Sequence, residues 1–336
     1  MYIIAAIIAF GVLIIIHELG HFIMAKLNGV KVEEFSIGMG PRVFGIKGGE
    51  TEYLIKLLPI GGYVKMLGDE GKSDDPKAFN NKSPIRKLSV VIAGPIMNFI
   101  LGIVLFAIIA SARGYVSPVV KSTISNEPAA MAGIKAGDRI TRVNNSKIST
   151  FEDFVTQVYT AGGNPIKVTY ERKGVPNQVM LTPVKDKKEN RYMIGIEGTL
   201  VTSPNIGQSI SYGFIETKSL IKQTFTFFKI LFRGKASMND VGGPVTIIKI
   251  SGAAAKAGIL SLLAFSAYIS IQLAIFNIIP FPALDGGYIF LFLFEIITGR
   301  KVDDNKVGMI NYVGFAILMA LMVLVTVKDI LYPVQF

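Results

Sequence analysis

The 336-residue chain has no cysteine, no tryptophan and only two histidines, His17 and His21. Without cysteine it can form no disulfide framework, no thiolate-ligated zinc and no thiol nucleophile, so any metal must be held by His, Asp or Glu. Charge is scarce too: Asp, Glu, Lys and Arg make up 18% of the residues, against 51% hydrophobic ones. A soluble domain carries about 25% charged residues. The deficit falls in long apolar stretches that match the ~20 residues a helix needs to cross a bilayer. The formal charge of +11 is therefore read as basic residues in cytoplasmic loops and against anionic headgroups of the lipid bilayer, and no nucleic-acid partner is expected.

Four spans are predicted, over residues 2–27, 88–112, 257–284 and 307–327. No Lys or Arg precedes Lys26, so the basic n-region of a signal peptide is missing and the first span is expected to be retained. Lys26 and Lys31 after it, and Lys82, Arg86 and Lys87 before the second, put those ends in the cytoplasm. Residues 28–87 read as short strands and hairpins, cytoplasmic or membrane-associated, around a turn signal at Gly61-Gly62. Residues 114–200 have ordinary polarity and strand-like runs at 119–124, 139–143, 166–171 and 178–182. There Ser149-x-x-Glu152 reads as a capping box opening a helix to about Tyr159. Residues 207–256 begin with a stretch apolar enough to resemble a span. As a helix, it gathers Lys218, Lys222, Lys229 and Arg233 on one face and Phe214, Ile221, Phe225, Phe228 and Phe232 on another. That pattern describes an interfacial helix followed by a connector.

His17-Glu18-Leu19-Gly20-His21 is HExxH. Two histidines four apart on a helix present their imidazoles on one face, and the glutamate between them can reach a water at the shared metal. Ionisable groups inside a spanning segment are costly, which favours function over packing. A catalytic zinc usually takes a third protein ligand and leaves one position open. The metzincin spacing fails, because Met24 and Leu27 stand where Gly and His would be needed. Glu33 and Glu34 read as solvated surface, which leaves Asp285 and Glu295. Two prolines precede Asp285 and two glycines follow it, so it is expected on non-helical backbone with a flexible exit. Glu295 is expected to reach the interface. Holding a ligand histidine in orientation through a hydrogen bond is the other role open to Asp285.

The HExxH in a first span, Asn277-Ile278-Ile279-Pro280-Phe281-Pro282-Ala283-Leu284-Asp285-Gly286-Gly287 in a late one, and a β-rich insert between them resemble the site-2 protease family of intramembrane zinc metalloproteases. The resemblance covers essentially the whole chain and is closest to the bacterial type that carries a PDZ domain. It implies Zn2+ held by His17, His21 and Asp285, with Glu18 as general base and acid. It implies Asn277 as a substrate or oxyanion-side contact, although an Asn there could equally satisfy carbonyls freed by the prolines. Gly133-Ile134-Lys135-Ala136-Gly137-Asp138 resembles the PDZ pattern. Leu58 to Val64, with Gly61, Gly62 and Tyr63, resembles the substrate-binding hairpin beside the active site, and Gly94-Pro95 with Asn98 resembles the second helix of the family. Where the better-known Gram-negative type has two PDZ domains, this chain has room for one.

The expected architecture is thus a polytopic α-helical membrane protein with four transmembrane helices, a membrane-associated β-hairpin region and one extracytoplasmic PDZ domain. It is placed in a bacterial cell membrane with both termini outside and the active site toward the cytoplasm. With four spans the third runs inward and ends at Asp285, at the depth of the histidines. The implied substrates are single-pass membrane proteins already shortened by another protease, such as anti-sigma factors, and leftover signal peptides. The rival reading is a non-enzymatic PDZ-bearing scaffold or transporter with a structural metal, indifferent to loss of Glu18.

Overall fold

The computed structural model describes residues 2–69, 71, 73–186, 191–234 and 242–332. Part of the connector predicted after Arg233, residues 235–241, and both chain ends lie outside these. The chain divides into two units, residues 1–105 with 231–336, and residues 106–230.

The first unit opens with α1 (Tyr2–Leu27), followed by β1 (Val32–Gly48), β2 (Thr51–Met66) and the start of α2 (Pro84–Arg113). The reversal between β1 and β2 falls at Gly49-Glu50, where Gly48 pairs with Thr51. The chain reverses again between Ile55 and Gly62, since Glu52–Ile55 run parallel to Glu34–Ile37 and Gly62–Lys65 antiparallel to them, and the expected turn at Gly61-Gly62 lies at the end of that reversal, with Gly61 at φ +93°. Glu34 to Ile37 pair with both Glu52–Ile55 and Gly62–Lys65, while residues 42–48 return beside 51–56. Two bent strands thus make a ribbon four segments wide. Glu34, expected on solvated surface, pairs with Lys56 at 2.5 Å within it.

After the second unit come α6 (Pro244–Lys256), α7 (Ile259–Ile278), α8 (Asp285–Thr298) and α9 (Asp304–Leu331). The third predicted span begins with α7, set off from α6 by Gly258 at φ +112°. It stops at Ile278 because Pro280 and Pro282 cannot donate to a helical ladder and disfavour helix at the residues before them. Helices long and apolar enough to cross a membrane, among the described residues, are Ile7–Leu27, Pro84–Arg113, Ile259–Ile278 and Asn305–Leu331. A buried cluster of Ala25, Val32, Val64, Val90, Ile289 and Phe292, among others, ties α1, the ribbon, α2 and α8 together.

The second unit holds an antiparallel sheet in the order β10 (Ile196–Val201), β3 (Tyr115–Thr123), β4 (Arg139–Val143), β6 (Ile166–Arg172), β7 (Val175–Leu181), with β5 (Ser146–Lys147) beside β4. β8 (Val184–Asp186) and β9 (Arg191–Met193) form a separate pair, and α3 (Pro128–Met131) and α4 (Phe151–Ala161) complete the domain. Alternating residues such as Ile140, Ile166, Val168 and Val120 meet Phe154 and Val158 of α4 in its core. The α4 cap is one residue later than predicted. Thr150 accepts from Asp153 N, and Asp153 Oδ2 accepts from Ser149 N.

α5 (Ile206–Phe232) buries a face of small and polar residues that the amphipathic reading did not anticipate. Ser219 Oγ donates to Asp153 Oδ1 at 2.8 Å, Tyr212 stacks on Tyr115, and Lys222 donates to Lys147 O. Phe214, Phe225 and Phe232 remain exposed on the other side. The contact encloses Glu216, 5% exposed, with its Oε2 unpartnered. Burial, then the charges of Glu152 and Asp153 on α4, push Glu216 up to about 8, while the Tyr212 hydroxyl bonds to it. Burial likewise raises Glu152, whose neighbours include Arg113 at the end of α2. The folded state therefore keeps the Glu216 proton to about pH 8, whereas an unfolded carboxyl releases it near the ordinary 4.5. Its contribution is fully present below pH 4.5 and is lost as pH rises toward 8, at about 1.4 kcal/mol per pH unit at most. We expect hydrogen exchange of the α5 amides, corrected for intrinsic rates, to show protection falling from pH 5 to 8. Glu216→Gln should flatten that slope, and an unchanged slope would contradict the assignment.

Candidate metal centre

His17 and His21 occupy one face of α1, each 8% exposed, with Nε2 atoms 3.2 Å apart. Each ring is fixed from behind by α2. His21 Nδ1 donates to Val90 O at 2.9 Å, which leaves its Nε2 free as a ligand. That carbonyl lies in the turn that Pro95 disrupts, since Pro95 has no N–H to donate to Val91 O. His17 Nδ1 lies 3.2 Å from Nδ2 of Asn98, a fully buried side chain whose Oδ1 has no partner. Turned end for end, the carboxamide would accept from Nδ1–H, the tautomer that frees Nε2 of His17 for a metal. Gly94, one turn before Asn98, makes the approach possible. A Cβ there would lie 2.3 Å from His21 Nε2 and 2.8 Å from His17 Cε1.

Asp285 is brought to the same place from the other end of the sequence. Its Oδ2 lies 3.2 Å from His17 Nε2 and 3.5 Å from His21 Nε2, yet accepts no well-directed hydrogen bond. Donors about 2.0–2.1 Å from a tetrahedral zinc stand about 3.3 Å from one another. The three observed edges fit that spacing, and two nitrogens with one carboxylate oxygen suit zinc chemistry. The residues present therefore fit the metal. His17, His21 and Asp285 also form the one group of His, Asp and Glu side chains among the described residues close enough to share an ion.

Asp285 is not on irregular backbone as expected. It is the first residue of α8, and the non-helical segment is Ile279 to Leu284. Gly286 and Gly287 are not a flexible exit: a Cβ on Gly286 would lie 1.9 Å from Ile279 O, so the missing side chain lets the loop fold back onto the helix start. Glu295 does not reach solvent. It is 6% exposed, and its Oε1 accepts from Val302 N, closing the turn after α8.

Glu18 follows His17 and points to the ribbon. A Cβ on Gly62 would lie 2.8 Å from Glu18 Cγ and 3.2 Å from Ser36 O, so β2 passes directly beside the glutamate. Gly61 packs on Met39, and Tyr63 O accepts from Ser36 Oγ. Asn277 is half-buried in the last turn of α7, outside the group of metal donors. That Gly94 and Asn98 lie against the two histidines was invisible beyond a resemblance. Their signal in sequence is a glycine and an amide one helical turn apart in an otherwise charge-free span.

Residues 5–321 match the Peptidase family M50 profile. A Clostridium acetobutylicum protein named as a zinc metalloprotease is 55% identical over 99% of this chain and 98% of its own length. The zinc metalloprotease RasP of Geobacillus kaustophilus is 30% identical, covering 98% of this chain and 97% of the relative. The regulator of sigma-W protease RasP of Bacillus subtilis is 29% identical, covering 98% of both. These matches decide against the scaffold or transporter reading and for a zinc-dependent endopeptidase. The chain belongs to peptidase family M50, the site-2 protease family of zinc metalloproteases.

Proposed function

We propose that this metallopeptidase cuts peptide bonds within the membrane-spanning segments of single-pass membrane proteins, using His17, His21 and Asp285 as zinc ligands and Glu18 as general base and acid. The observation that carries the reading is the triad itself: three donors at tetrahedral spacing, two of them on a helix long and apolar enough to cross a bilayer, with the Glu18 carboxyl next to them in the sequence.

Bound there, zinc supplies a Lewis acid that polarises the scissile carbonyl and lowers the pKa of water toward about 7. Glu18 takes one proton from the attacking water as its oxygen adds to the carbonyl carbon. It returns that proton to the amide nitrogen as the C–N bond breaks. A helical substrate hides its carbonyls in its own hydrogen bonds and must first unwind. The β2 segment from Gly62 to Lys65, paired with Glu34 to Ile37 at one edge of the ribbon, takes up the unwound strand by β-addition. Gly62 is where the strand and Glu18 come closest, so substrate added there would meet the base.

Residues 114–200 are read as an extracytoplasmic PDZ domain that discriminates substrates by size or shape. The exposed Phe214, Phe225 and Phe232 of α5 suit an interfacial helix, and exposed Val43, Phe44, Leu57 and Leu58 suit a ribbon at the bilayer. The name of the Bacillus subtilis relative supports membrane-bound anti-sigma factors as one substrate class, with remnant signal peptides as another.

Glu18→Gln keeps both histidines and the side-chain size. Zinc should stay near one per chain while cleavage of a single-span reporter, mapped by mass spectrometry, falls about a hundredfold or more. Wild-type-like cleavage would sink the mechanism. Gly94→Ala places a methyl among the ligand rings, so zinc should be lost while helix content measured by circular dichroism is kept. Normal zinc content would show that the histidines do not converge as described. For orientation, a cysteine at Asn145 should react with an impermeant thiol reagent outside intact cells and one at Ser73 should not. The opposite labelling would invert the topology.

A further inference from the structure

The loop that carries Asp285 is gripped from α9. Between Ile279 and Leu284 two prolines remove two backbone donors. Ala283 stands at φ +71°, a left-handed conformation that a residue with a Cβ holds only when its surroundings fix it. The fixing group is Asn311: Ala283 N donates to its Oδ1 at 3.1 Å. Because a backbone N–H can only donate, Ala283 fixes Oδ1 as the end of the carboxamide that faces the loop, and Asn311 Nδ2 donates at the other end to the Tyr288 hydroxyl at 2.8 Å. One turn further along α9, a Cβ on Gly314 would lie 2.5 Å from Pro282 Cβ and 2.8 Å from Pro282 O, so the backbone of α9 lies against the loop. Ala283 is two residues before Asp285 and Tyr288 three after it. A single amide therefore holds the chain on both sides of the carboxylate. The task needs one acceptor and one donor about a side-chain width apart, which asparagine supplies and an apolar residue of this helix cannot.

We propose that Asn311 is a positioning residue for Asp285, holding Ala283 in its left-handed conformation so that the carboxylate meets the two imidazoles at ligand distance. The inference rests on Asp285 being a metal ligand, as proposed above. It extends the site to a helix that contributes no donor to the metal.

The test uses the full chain in detergent micelles and reads zinc affinity by competition with a chromophoric chelator. Asn311→Ala should weaken zinc binding about tenfold or more, the range seen when groups behind a ligand are removed. Ala283→Gly alone should change it by less than about twofold. In the double variant glycine holds the positive φ without being tied, so affinity should return most of the way. A general loss of packing would not be repaired by deleting a methyl group from the loop. Tyr288→Phe, which frees the carboxamide but leaves Ala283 its acceptor, should give a smaller loss in the same direction. Wild-type affinity in Asn311→Ala, or a double variant as weak as Asn311→Ala, overturns the proposal. Should Asn311→Ala fail to fold, unchanged affinity in Tyr288→Phe overturns it and weakened affinity supports it. Asp285→Ala separates the two levels. If that variant binds zinc normally, the ligand assignment fails. If it loses zinc while Asn311→Ala keeps it, only the clamp fails.

Discussion

A carboxylate and two imidazoles gathered among apolar helices are the constraint on which the rest depends. An ionised aspartate among apolar helices is costly, and a buried charge persists only when paired or bound to a metal. Here the cost is offset by convergence: Asp285, His17 and His21 present three donor atoms to one point. The prolines that end α7 bring the chain round so that Asp285 opens α8. The first turn of α8 also offers unpaired backbone N–H groups, which favour a negative side chain.

The surrounding architecture follows from that convergence. α2 contributes no metal donor, yet it supplies Val90 O and Asn98 behind the rings and, at Gly94, the space in front of them. The ribbon brings β2 against Glu18 through Gly62. In α2 the one buried amide of an otherwise apolar stretch, Asn98, thus lies against a histidine of the group. The second unit obeys different rules, with an alternating sheet, a capped helix and a buried carboxyl whose proton the fold retains.

The parts legible in the sequence were those written in a local period. HExxH gave two donors and a neighbouring carboxylate on one helix face, and the apolar runs located the membrane-length helices within a few residues, apart from the proline-broken end of the third. Asp285 could be selected because prolines and glycines flank it, but the same residues obscured α8: in this setting Gly286 and Gly287 permit close packing at a helix start, and sequence alone does not separate that use from a turn. One reversal of the ribbon was passed over, at Gly49-Glu50, although Gly48-Gly49 resembles a turn as strongly as Gly61-Gly62 does. Asn98 and Asn311 act through contacts 81 and 28 residues away. No local pattern encodes such separations.

The account stands on one zinc shared by His17, His21 and Asp285, and zinc K-edge X-ray absorption of the purified chain addresses that most directly. It should show four nitrogen or oxygen neighbours at about 2.0–2.1 Å, with the multiple-scattering signature of two imidazoles. Binding that leaves fewer than two imidazoles in the zinc shell, or a first shell unchanged by removing the Asp285 carboxylate, would contradict it.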